Sequence, residues 1–273
     1  MQTWFITGIS RGLGLALARV LLERGDRVIG TVRSGTPDLP TNTGRLHVVH
    51  ADFAHPGEAE RATREAFDHA GRIDVIVNNA GYGLLGALEQ STDAEMARLF
   101  EVDVFTPVRI IRTALPRLRA QGTGQIVNIT SIAGRAPGAG SVLYAAAKYA
   151  LEGLTAALSR ELEPVGIKMM AVAPGAFRTD FLSDHSIHRS DKEDEAYAES
   201  TGRSGAALAA MAGRQAGDPV LGAKAIVQAV DAAEPPLHLL LGPDALRRAR
   251  EKLDAILAEV DAWERVTAST DHA

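Results

Sequence analysis

The fold is set near the amino terminus by the segment Thr7-Gly8-Ile9-Ser10-Arg11-Gly12-Leu13-Gly14. This segment follows an apolar run typical of a buried strand and opens a helical pattern in which Leu13, Leu17 and Leu21 share one face. Glycines at such a turn let the backbone approach a diphosphate, and the N–H groups at the helix N-terminus face the anion. The turn is therefore predicted to bind a dinucleotide. The expected contacts are Gly8, Ser10, Arg11, Gly12, Leu13 and Gly14.

Outward from this turn, short apolar runs alternate with longer helical patterns, as in a parallel sheet covered by helices on both faces. The sequence therefore predicts an α/β fold. The predicted strands are Thr3–Thr7, Arg27–Val32, Leu46–His50, Ile73–Asn78, Gln125–Thr130, Ile167–Ala173 and Leu237–Leu241. The predicted helices after the first are Pro56–Ala70, Asp93–Arg119, Val142–Glu163 and Asp244–Val266.

The segment from about residue 182 to 217 interrupts this alternation and is too long for a simple connection. Long insertions of this kind are often lids over a binding site, and a solvated surface excursion is the alternative. Its Asp184, His185 and His188 are expected to be solvated, so no metal site is predicted.

Apolar residues recur at heptad spacing in the last helical pattern, at about residues 244–266. They are Leu246, Ala249, Leu253, Ile256, Val260 and Trp263. The repeat is shorter than the roughly three or four heptads expected of a coiled coil. Packing on the chain's own domain is therefore expected, with a contact between subunits as the alternative.

The composition excludes several classes of function. The chain has 273 residues, 46% of them hydrophobic and 23% charged, which is typical of one large globular domain or two small ones. Its net charge of −5 leaves no basic footprint for a nucleic acid, and the absence of cysteine excludes disulfides and thiolate chemistry. No uncharged run reaches the ~18 residues of a membrane span, and no basic leader precedes Thr3. We therefore expect a cytoplasmic protein without a membrane or nucleic-acid partner.

The ends of the predicted strands indicate which dinucleotide binds. An acidic residue about 20 positions after the glycines would bind the ribose 2′-OH of NAD, but the second strand ends in Arg33 and Asp26 precedes it. Arg33 and Arg11 are expected to pair with a 2′-phosphate, which favours NADP(H); two solvated arginines are the alternative. Further contacts are expected where the third and fourth strands end, although ordinary turns would have the same composition. They are Asp52, Phe53, Asn79, Ala80 and Gly81.

A second group of residues indicates acid–base chemistry. Tyr144 and Lys148 are four residues apart in a helical pattern, so the phenol and the ammonium share a face. A neighbouring cation lowers the pKa of a phenol, which can then give a proton to a carbonyl or take one from an alcohol. Ser131 lies 13 residues before Tyr144, where a predicted strand ends, and is expected to hold the substrate oxygen.

In order and spacing, these motifs resemble the signature set of the short-chain dehydrogenase/reductase superfamily. The resemblance is carried by Thr7–Gly14, Asn78–Gly81, Ser131, Tyr144 with Lys148, and Pro174-Gly175. It implies a single Rossmann-like domain over residues 1–273, with a seven-stranded parallel sheet and helices on both faces. It also implies a homodimer or homotetramer, paired through the long helices Asp93–Arg119 and Val142–Glu163.

The resemblance also implies roles for individual residues. Tyr144 would be the acid or base, Lys148 would bind the nicotinamide ribose and lower the phenol's pKa, and Ser131 would orient the carbonyl. An arginine ending the second strand resembles NADP(H)-preferring members, including those that act on hydroxysteroids. The implied contacts at the nicotinamide end are Pro174, Gly175 and Thr179. Expected substrate contacts besides Ser131, each with core packing as the alternative, are Tyr82, Leu143 and Phe177.

One catalytic position departs from the family pattern. The family usually has an asparagine that helps to hold a water feeding protons to the lysine, and the matching residue here is Asp103. Asp103 is isosteric with asparagine but acidic and without an amide donor. If the backbone carbonyl holds the water, Asp103 suffices; if the side-chain amide matters, the proton relay is weakened.

Three functions are compatible with these motifs. The leading one is hydride transfer between NADP(H) and a carbonyl/secondary alcohol pair, a small-molecule substrate, with Tyr144 as acid or base. The second is a catalytically silent dinucleotide-sensing or scaffold protein, which predicts lost catalytic groups, whereas Ser131, Tyr144 and Lys148 are all present. A dehydratase or epimerase ranks last, because the sequence lacks the extra C-terminal domain that many of those enzymes carry.

Overall fold

Nine strands run through the part of the chain that the computed structural model describes, residues 1–39, 45–182, 187–189 and 195–271. They are β1 (Thr3–Ile6), β2 (Arg27–Val32), β3 (Leu46–His50), β4 (Val75–Asn78), β5 (Gly83–Leu85), β6 (Gly124–Ile129), β7 (Ile167–Pro174), β8 (Ile187–Arg189) and β9 (His238–Leu241). Seven of them form one parallel sheet in the order β3-β2-β1-β4-β6-β7-β9. All seven predicted strands are thereby confirmed. Strands β5 and β8, which were not predicted, pair in a separate parallel sheet.

Eight α-helices accompany the strands within the same described residues. They are α1 (Gly12–Arg24), α2 (Glu58–Ala70), α3 (Asp93–Phe100), α4 (Thr106–Gln121), α5 (Val142–Leu162), α6 (Arg203–Met211), α7 (Pro219–Val230) and α8 (Pro243–Ala268). The predicted helix Asp93–Arg119 is α3 and α4 joined by a π-helical turn at Glu101–Phe105. None of the described helices is both long enough and apolar enough to cross a membrane.

Helices cover both faces of the main sheet, as predicted. On one face, α1 and α7 contribute Leu17, Leu21 and Ile226 to a fully buried apolar cluster. On the other face, α2 and α4 contribute Phe67 and Ile110 to a second cluster, which also includes residues of α5. Because the strands are parallel, their carboxyl ends lie at one edge of the sheet, which brings the loops after them together.

Helix α7 was not predicted, although the sequence carries a start signal for it. The carboxylate of Asp218 accepts hydrogen bonds from the N–H groups of Val220 and Leu221 at 2.7 and 3.0 Å. Pro219 occupies the first turn, where a missing N–H leaves no hydrogen bond unmade. An N-cap aspartate followed by proline is the signal that identifies this helix.

The prediction that the C-terminal helix packs along its own domain is wrong for most of its length. Only Ala245 and Ala249 of α8 are buried. Every residue from Leu253 to Asp271 is exposed, because none of the described elements covers the helix there.

The glycine turn packs closely against the sheet where Ile9 meets Gly30. A Cβ at Gly30, in β2, would lie 2.1 Å from Cδ1 and 2.6 Å from Cγ1 of the fully buried Ile9. Gly30→Ala is therefore expected to lower the free energy of unfolding by about 1–3 kcal/mol, as overpacking usually does. Urea unfolding followed by circular dichroism measures the change.

Gly153→Ala is the matched control for this substitution. Gly153 lies on the exposed face of α5, and a Cβ there meets no atom within 4 Å. Its replacement by alanine should stabilise the protein by roughly 0.5–1 kcal/mol, since glycine is a poor helix former. Equal unfolding midpoints for the two variants would contradict the packing of Ile9 against Gly30.

Candidate active site

A cavity of about 1100 Å³ opens at the carboxyl edge of the main sheet. Loops that follow β1, β2, β3, β4, β6 and β7 line it, together with α5 and described residues of the segment 182–217. Nearly all the predicted site residues lie on its wall. They are Gly8, Ser10, Arg11, Gly12, Leu13, Arg33, Asp52, Phe53, Asn79, Ala80, Gly81, Tyr82, Ser131, Tyr144, Lys148, Pro174, Gly175, Phe177 and Thr179.

The glycine turn is held in place by the loop after β4. Gly8 and Gly12 have φ angles of 75° and 61°, a region in which a side chain is strained. The Asn79 amide donates hydrogen bonds to the carbonyl oxygens of Thr7 and Gly8, both at 2.9 Å. In return, the Thr7 hydroxyl accepts hydrogen bonds from the N–H groups of Asn79 and Ala80. These hydrogen bonds hold the glycine turn and the loop after β4 together at the cavity wall.

Gly14, also predicted as a cofactor contact, does not line the cavity. A Cβ at this position would lie 2.3 Å from the Gly8 carbonyl oxygen and 2.4 Å from Nδ2 of Asn79. Gly14 thus lets α1 pack directly under the turn that Gly8 begins.

The start of α1 fits the diphosphate of a dinucleotide. The side chain of its N-cap residue, Arg11, makes no capping hydrogen bond, and the first turn contains no acidic residue. Gly12 and Leu13 of this turn line the cavity, so the N-terminal end of the helix and its N–H groups lie at the cavity wall. The residues present therefore suit the cofactor that the sequence predicts.

The part of the cavity where β2 ends carries a basic residue and no acid from β2. Arg33 is exposed at the end of β2 and lines the cavity. Asp26 is buried away from it, where it accepts hydrogen bonds from the N–H of Gln2 at 2.9 Å and Nε of Arg24 at 2.6 Å. Asp52 lines the cavity as well, with its Oδ1 accepting a hydrogen bond from the N–H of Ala54.

The side chains predicted to be catalytic lie around the buried ammonium of Lys148. Nζ of Lys148 lies 3.0 Å from Oδ2 of Asp103, 3.3 Å from the carbonyl oxygen of Ile129 and 5.6 Å from the ring centre of Tyr144. Gly134 permits this arrangement, because a Cβ there would lie 2.8 Å from the backbone carbonyl carbon of Lys148. Glycine at this turn therefore lets α5 approach the end of β6.

Asp103 sits on the π-helical turn between α3 and α4 and is completely buried. Its Oδ1 accepts a hydrogen bond from the N–H of Tyr82 at 3.1 Å, while Oδ2 faces Lys148. Burial raises the pKa of the Asp103 carboxyl overall, although the Lys148 ammonium and the N–H of Tyr82 lower it. When ionised, the carboxylate adds a negative charge beside the lysine, which an amide oxygen in the same place cannot do. The π-turn that aims it inward had no recognisable sequence signal.

The net pKa shift of Tyr144 is upward. Burial raises the pKa of this phenol, the Lys148 ammonium lowers it, the Asp103 carboxylate raises it, and a hydrogen bond with the Ser131 hydroxyl lowers it. Lys148 thus acts in the predicted direction, but burial and Asp103 outweigh it. Burial lowers the pKa of Lys148, yet attraction to Asp103 and Tyr144 shifts it upward overall, so the lysine stays protonated.

Phe181 and described residues of the segment 182–217 also line the cavity. The ring of Phe181 lies 5.8 Å from that of Tyr144, and Ser204, Leu208 and Met211 line the wall further out. His188, in β8, approaches Glu95 of α3 with Nε2 and Oε1 3.1 Å apart. These residues had not been predicted as substrate contacts. The predicted solvated residues Asp184 and His185 lie outside the described residues.

Of the predicted substrate contacts, Tyr82 and Phe177 line the cavity and Leu143 does not. Leu143 packs in a buried cluster with Leu84, Leu99 and Val104. Its side chain therefore belongs to the core, the alternative that the sequence left open. Among the described residues, no group of three His, Asp or Glu side chains is placed to hold a metal.

A buried carboxylate that sequence reasoning missed joins α5 to the end of β6. Glu152 Oε1 accepts hydrogen bonds from Oγ1 of Thr130 at 2.5 Å and Nε of Arg135 at 3.0 Å. Thr130 precedes Ser131, and Glu152 lies two turns after Tyr144 on α5. The contact fixes the serine loop against the helix that carries the tyrosine.

Comparison with known proteins identifies the family. The family model for short chain dehydrogenase matches residues 2–190. Oxidoreductase BOA17 of Botryotinia fuckeliana is 32% identical over 272 residues, which cover 97% of this chain and 98% of that protein. The 3-ketodihydrosphingosine reductase of Bacteroides thetaiotaomicron is 34% identical over 242 residues, 89% of this chain and 88% of the other.

A solved structure agrees over the whole chain. A short-chain dehydrogenase from Streptomyces avermitilis superposes with a TM-score of 0.89 at 37% identity, covering 99% of this chain and all of that one. The chain therefore belongs to the short-chain dehydrogenase family, whose members are oxidoreductases that use a nicotinamide dinucleotide.

Proposed function

We propose that the protein catalyses hydride transfer between NADP(H) and a carbonyl/secondary alcohol pair, with Tyr144 as the acid or base. The observation that carries the proposal is the grouping of Ser131, Tyr144 and the buried Lys148 beside an uncapped helix N-terminus in one cavity. The nicotinamide supplies the hydride for the carbonyl carbon. Tyr144 donates its phenolic proton to the carbonyl oxygen, which the Ser131 hydroxyl holds by a hydrogen bond, and Lys148 stabilises the phenolate that remains.

The protonation state of Tyr144 favours catalysis of carbonyl reduction at neutral pH. The raised pKa keeps Tyr144 protonated at neutral pH, which is the form that donates a proton to a carbonyl. Oxidation of an alcohol needs the phenolate, which Asp103 disfavours. We therefore propose that the protein catalyses carbonyl reduction at neutral pH and catalyses alcohol oxidation faster at alkaline pH.

The preference for NADP(H) is proposed on the charges at the adenosine end. Arg33 and Arg11 line the cavity there, and the acid closest to β2 in sequence, Asp26, is buried elsewhere. Guanidinium groups pair strongly with a phosphate, whereas the ribose hydroxyls of NAD would ask for a carboxylate at the end of β2.

Two remaining expectations belong to the same proposal. The segment 182–217 acts as the substrate lid, which is supported by its residues on the cavity wall. The chain forms a homodimer or homotetramer through α3 with α4 and through α5, where Val142 and Tyr149 of α5 are exposed. The cytoplasmic location stays a prediction.

A catalytically silent sensor or scaffold is the competing function. It would bind the dinucleotide tightly without turnover, and nothing would keep the phenol, hydroxyl and ammonium together. Their mutual contacts in a buried site disfavour it. A dehydratase or epimerase has no specific observation in its favour.

Tyr144→Phe tests the role of Tyr144 as proton donor. The purified protein is mixed with NADPH and a panel of ketones, quinones and aldehydes, and the loss of NADPH absorbance is followed. Tyr144→Phe should lose about 10²-fold or more in turnover, because it removes the proton donor while leaving the ring packed. Tyr149→Phe is the control, since Tyr149 lies on the exposed face of the same helix and bonds the Arg135 carbonyl oxygen.

Two outcomes of that assay would contradict the proposal. Turnover that survives Tyr144→Phe would remove Tyr144 from the chemistry. Tight NADPH binding with no turnover on the whole panel would support the silent sensor.

Arg33→Ala tests the preference for NADPH over NADH. Arg33→Ala should weaken NADPH binding by about tenfold to a hundredfold, the worth of a charged hydrogen bond, and should leave NADH binding nearly unchanged. Arg119→Ala, at an exposed position of α4 that does not line the cavity, is the control. Dissociation constants from fluorescence titration decide the matter, and equal losses for the two cofactors would refute the phosphate contact.

Asp103→Asn tests the electrostatic effect of Asp103 on Tyr144. Asp103→Asn keeps the acceptor for the N–H of Tyr82 but removes the charge that raises the pKa of Tyr144. Alcohol oxidation rises with pH as the phenol ionises, so its rise should move to lower pH in the variant, while activity at neutral pH stays within a few-fold. Profiles of kcat/KM against pH measure the shift.

Glu101→Gln is the control for this profile. Glu101 lies on the same π-turn but pairs with Arg109 and does not line the cavity. Its replacement should leave the profile in place. A profile that does not move in Asp103→Asn, or that moves to higher pH, would contradict the electrostatic role of Asp103.

A further inference from the structure

One buried carboxylate holds both ends of the loop that carries Ser131. This loop, residues 130–135, follows β6, and we call it the serine loop. Oε1 of Glu152 accepts hydrogen bonds from Oγ1 of Thr130 at 2.5 Å and from Nε of Arg135 at 3.0 Å, the first and last residues of the loop. Burying a carboxylate is costly unless it is paired and hydrogen-bonded. Glu152 is 8% exposed, so these two contacts account for its place in the interior.

Glu152 lies on the same face of α5 as Tyr144 and Lys148, which precede it by eight and four residues. Nζ of Lys148 donates a hydrogen bond to the carbonyl oxygen of Ile129 at 3.3 Å. Glu152 accepts its hydrogen bond from the next residue of the chain, Thr130. Successive turns of one helix therefore hold successive residues at the end of β6. Helix α5 thereby fixes where the serine loop begins relative to the phenol of Tyr144.

The conformation of the serine loop sets the direction of the Ser131 hydroxyl. The hydroxyl oxygen accepts a hydrogen bond from the N–H of Ala133 at 3.1 Å, and the Ser131 carbonyl oxygen accepts one from the N–H of Gly134 at 2.9 Å. Because the hydroxyl oxygen accepts inside its own loop, its proton is available for a bond outside the loop. The hydroxyl hydrogen-bonds with the phenol of Tyr144 and lowers the pKa of that phenol. A shift of the loop would therefore move the hydroxyl relative to the phenol.

We infer that Glu152 is a positioning residue, which acts on catalysis through Ser131 by holding both ends of the serine loop on α5. Glu152 does not line the cavity, so it acts without touching the substrate. The inference rests on the proposed function, in which the Ser131 hydroxyl holds the substrate oxygen. A group misplaced by about 1 Å can lower a rate by roughly a hundredfold. Loss of the Glu152 contacts should therefore lower kcat and leave NADPH binding unchanged.

A double-mutant cycle of Glu152→Leu with Ser131→Ala separates a positioning role from a merely structural one. Leucine has a similar volume but accepts no hydrogen bond, so the serine loop loses both contacts. The loss of NADPH absorbance is followed with a ketone that the unaltered protein reduces. Glu152→Leu should lower kcat about tenfold or more when Ser131 is present. Beside Ser131→Ala it should change kcat by less than about twofold, because the hydroxyl that it positions is gone.

Glu152→Gln is the conservative variant, and Glu161→Leu is the control. The amide oxygen of glutamine can accept both hydrogen bonds of the serine loop, while its nitrogen replaces Oε2, which lies 3.4 Å from Nδ1 of His238. Glu152→Gln should therefore keep kcat within about threefold of that of the unaltered protein. Glu161 is exposed on the same helix and does not line the cavity, so Glu161→Leu should leave kcat unchanged.

Thr130→Val repeats the test with the buried ion pair intact. Removing one partner of such a pair is strongly destabilising, whereas valine keeps the shape of threonine and leaves Arg135 paired with Glu152. Thr130→Val should lower kcat by roughly threefold to tenfold, and this loss should also vanish beside Ser131→Ala. Because Thr130 lines the cavity, the dissociation constant for NADPH is measured by fluorescence titration and should equal that of the unaltered protein.

Several results would overturn the inference. Equal losses of kcat with and without the Ser131 hydroxyl would mean that Glu152 supports the fold and does not act through the serine. Unchanged kcat in Glu152→Leu and Thr130→Val, or a loss in Glu152→Gln as large as in Glu152→Leu, would remove these hydrogen bonds from catalysis. Ser131→Ala alone should lower kcat by about 10²-fold. No loss in that variant would contradict the proposed function itself, and the inference with it.

Discussion

The site depends on one buried ion pair, that of Lys148 and Asp103, with the phenol of Tyr144 beside it. Removing two charges from water costs several kcal/mol each, and their attraction repays this only with good geometry. Here the ammonium is 3.0 Å from the carboxylate and also donates to the carbonyl oxygen of Ile129. The pair joins α5, the π-turn and the end of β6, so that one interaction positions three elements of the active site.

The two charges of the ion pair shift the pKa of Tyr144 in opposite directions. The ammonium favours the phenolate of Tyr144, and the carboxylate opposes it, so that burial decides the net shift. A family member with a neutral amide in place of Asp103 lacks the opposing charge. The acidic residue therefore favours the protonated phenol, the form that the proposed reduction needs.

The sheet and most of the site were predictable from the sequence, and the reasons are physical. Strands such as β2 and β7 are buried on both faces and therefore appear as continuous apolar runs. Parallel strands end at one edge, so motifs after separate strands had to meet there, and Ser131 and Tyr144 do so.

What could not be predicted depends on contacts between distant segments. The π-helical turn that directs Asp103 into the interior has no sequence signature. The segment 182–217 has no hydrophobic periodicity from which the position of Met211 on the cavity wall could have been predicted. Leu143 and Gly14 adjoin functional positions in the chain, but their side chains or backbone face the core. The heptads of α8 were visible, but only the structure shows that the domain leaves them uncovered.

The protonation state of Tyr144 tests this account most directly. With the tyrosine rings labelled with ¹³C at Cζ, nuclear magnetic resonance follows each phenol through a pH titration, and the spectrum of Tyr144→Phe identifies the signal. We predict that the pKa of Tyr144 in the cofactor-free protein is higher than that of an exposed tyrosine. Ionisation near neutral pH would contradict it, because Lys148 would then outweigh burial and Asp103.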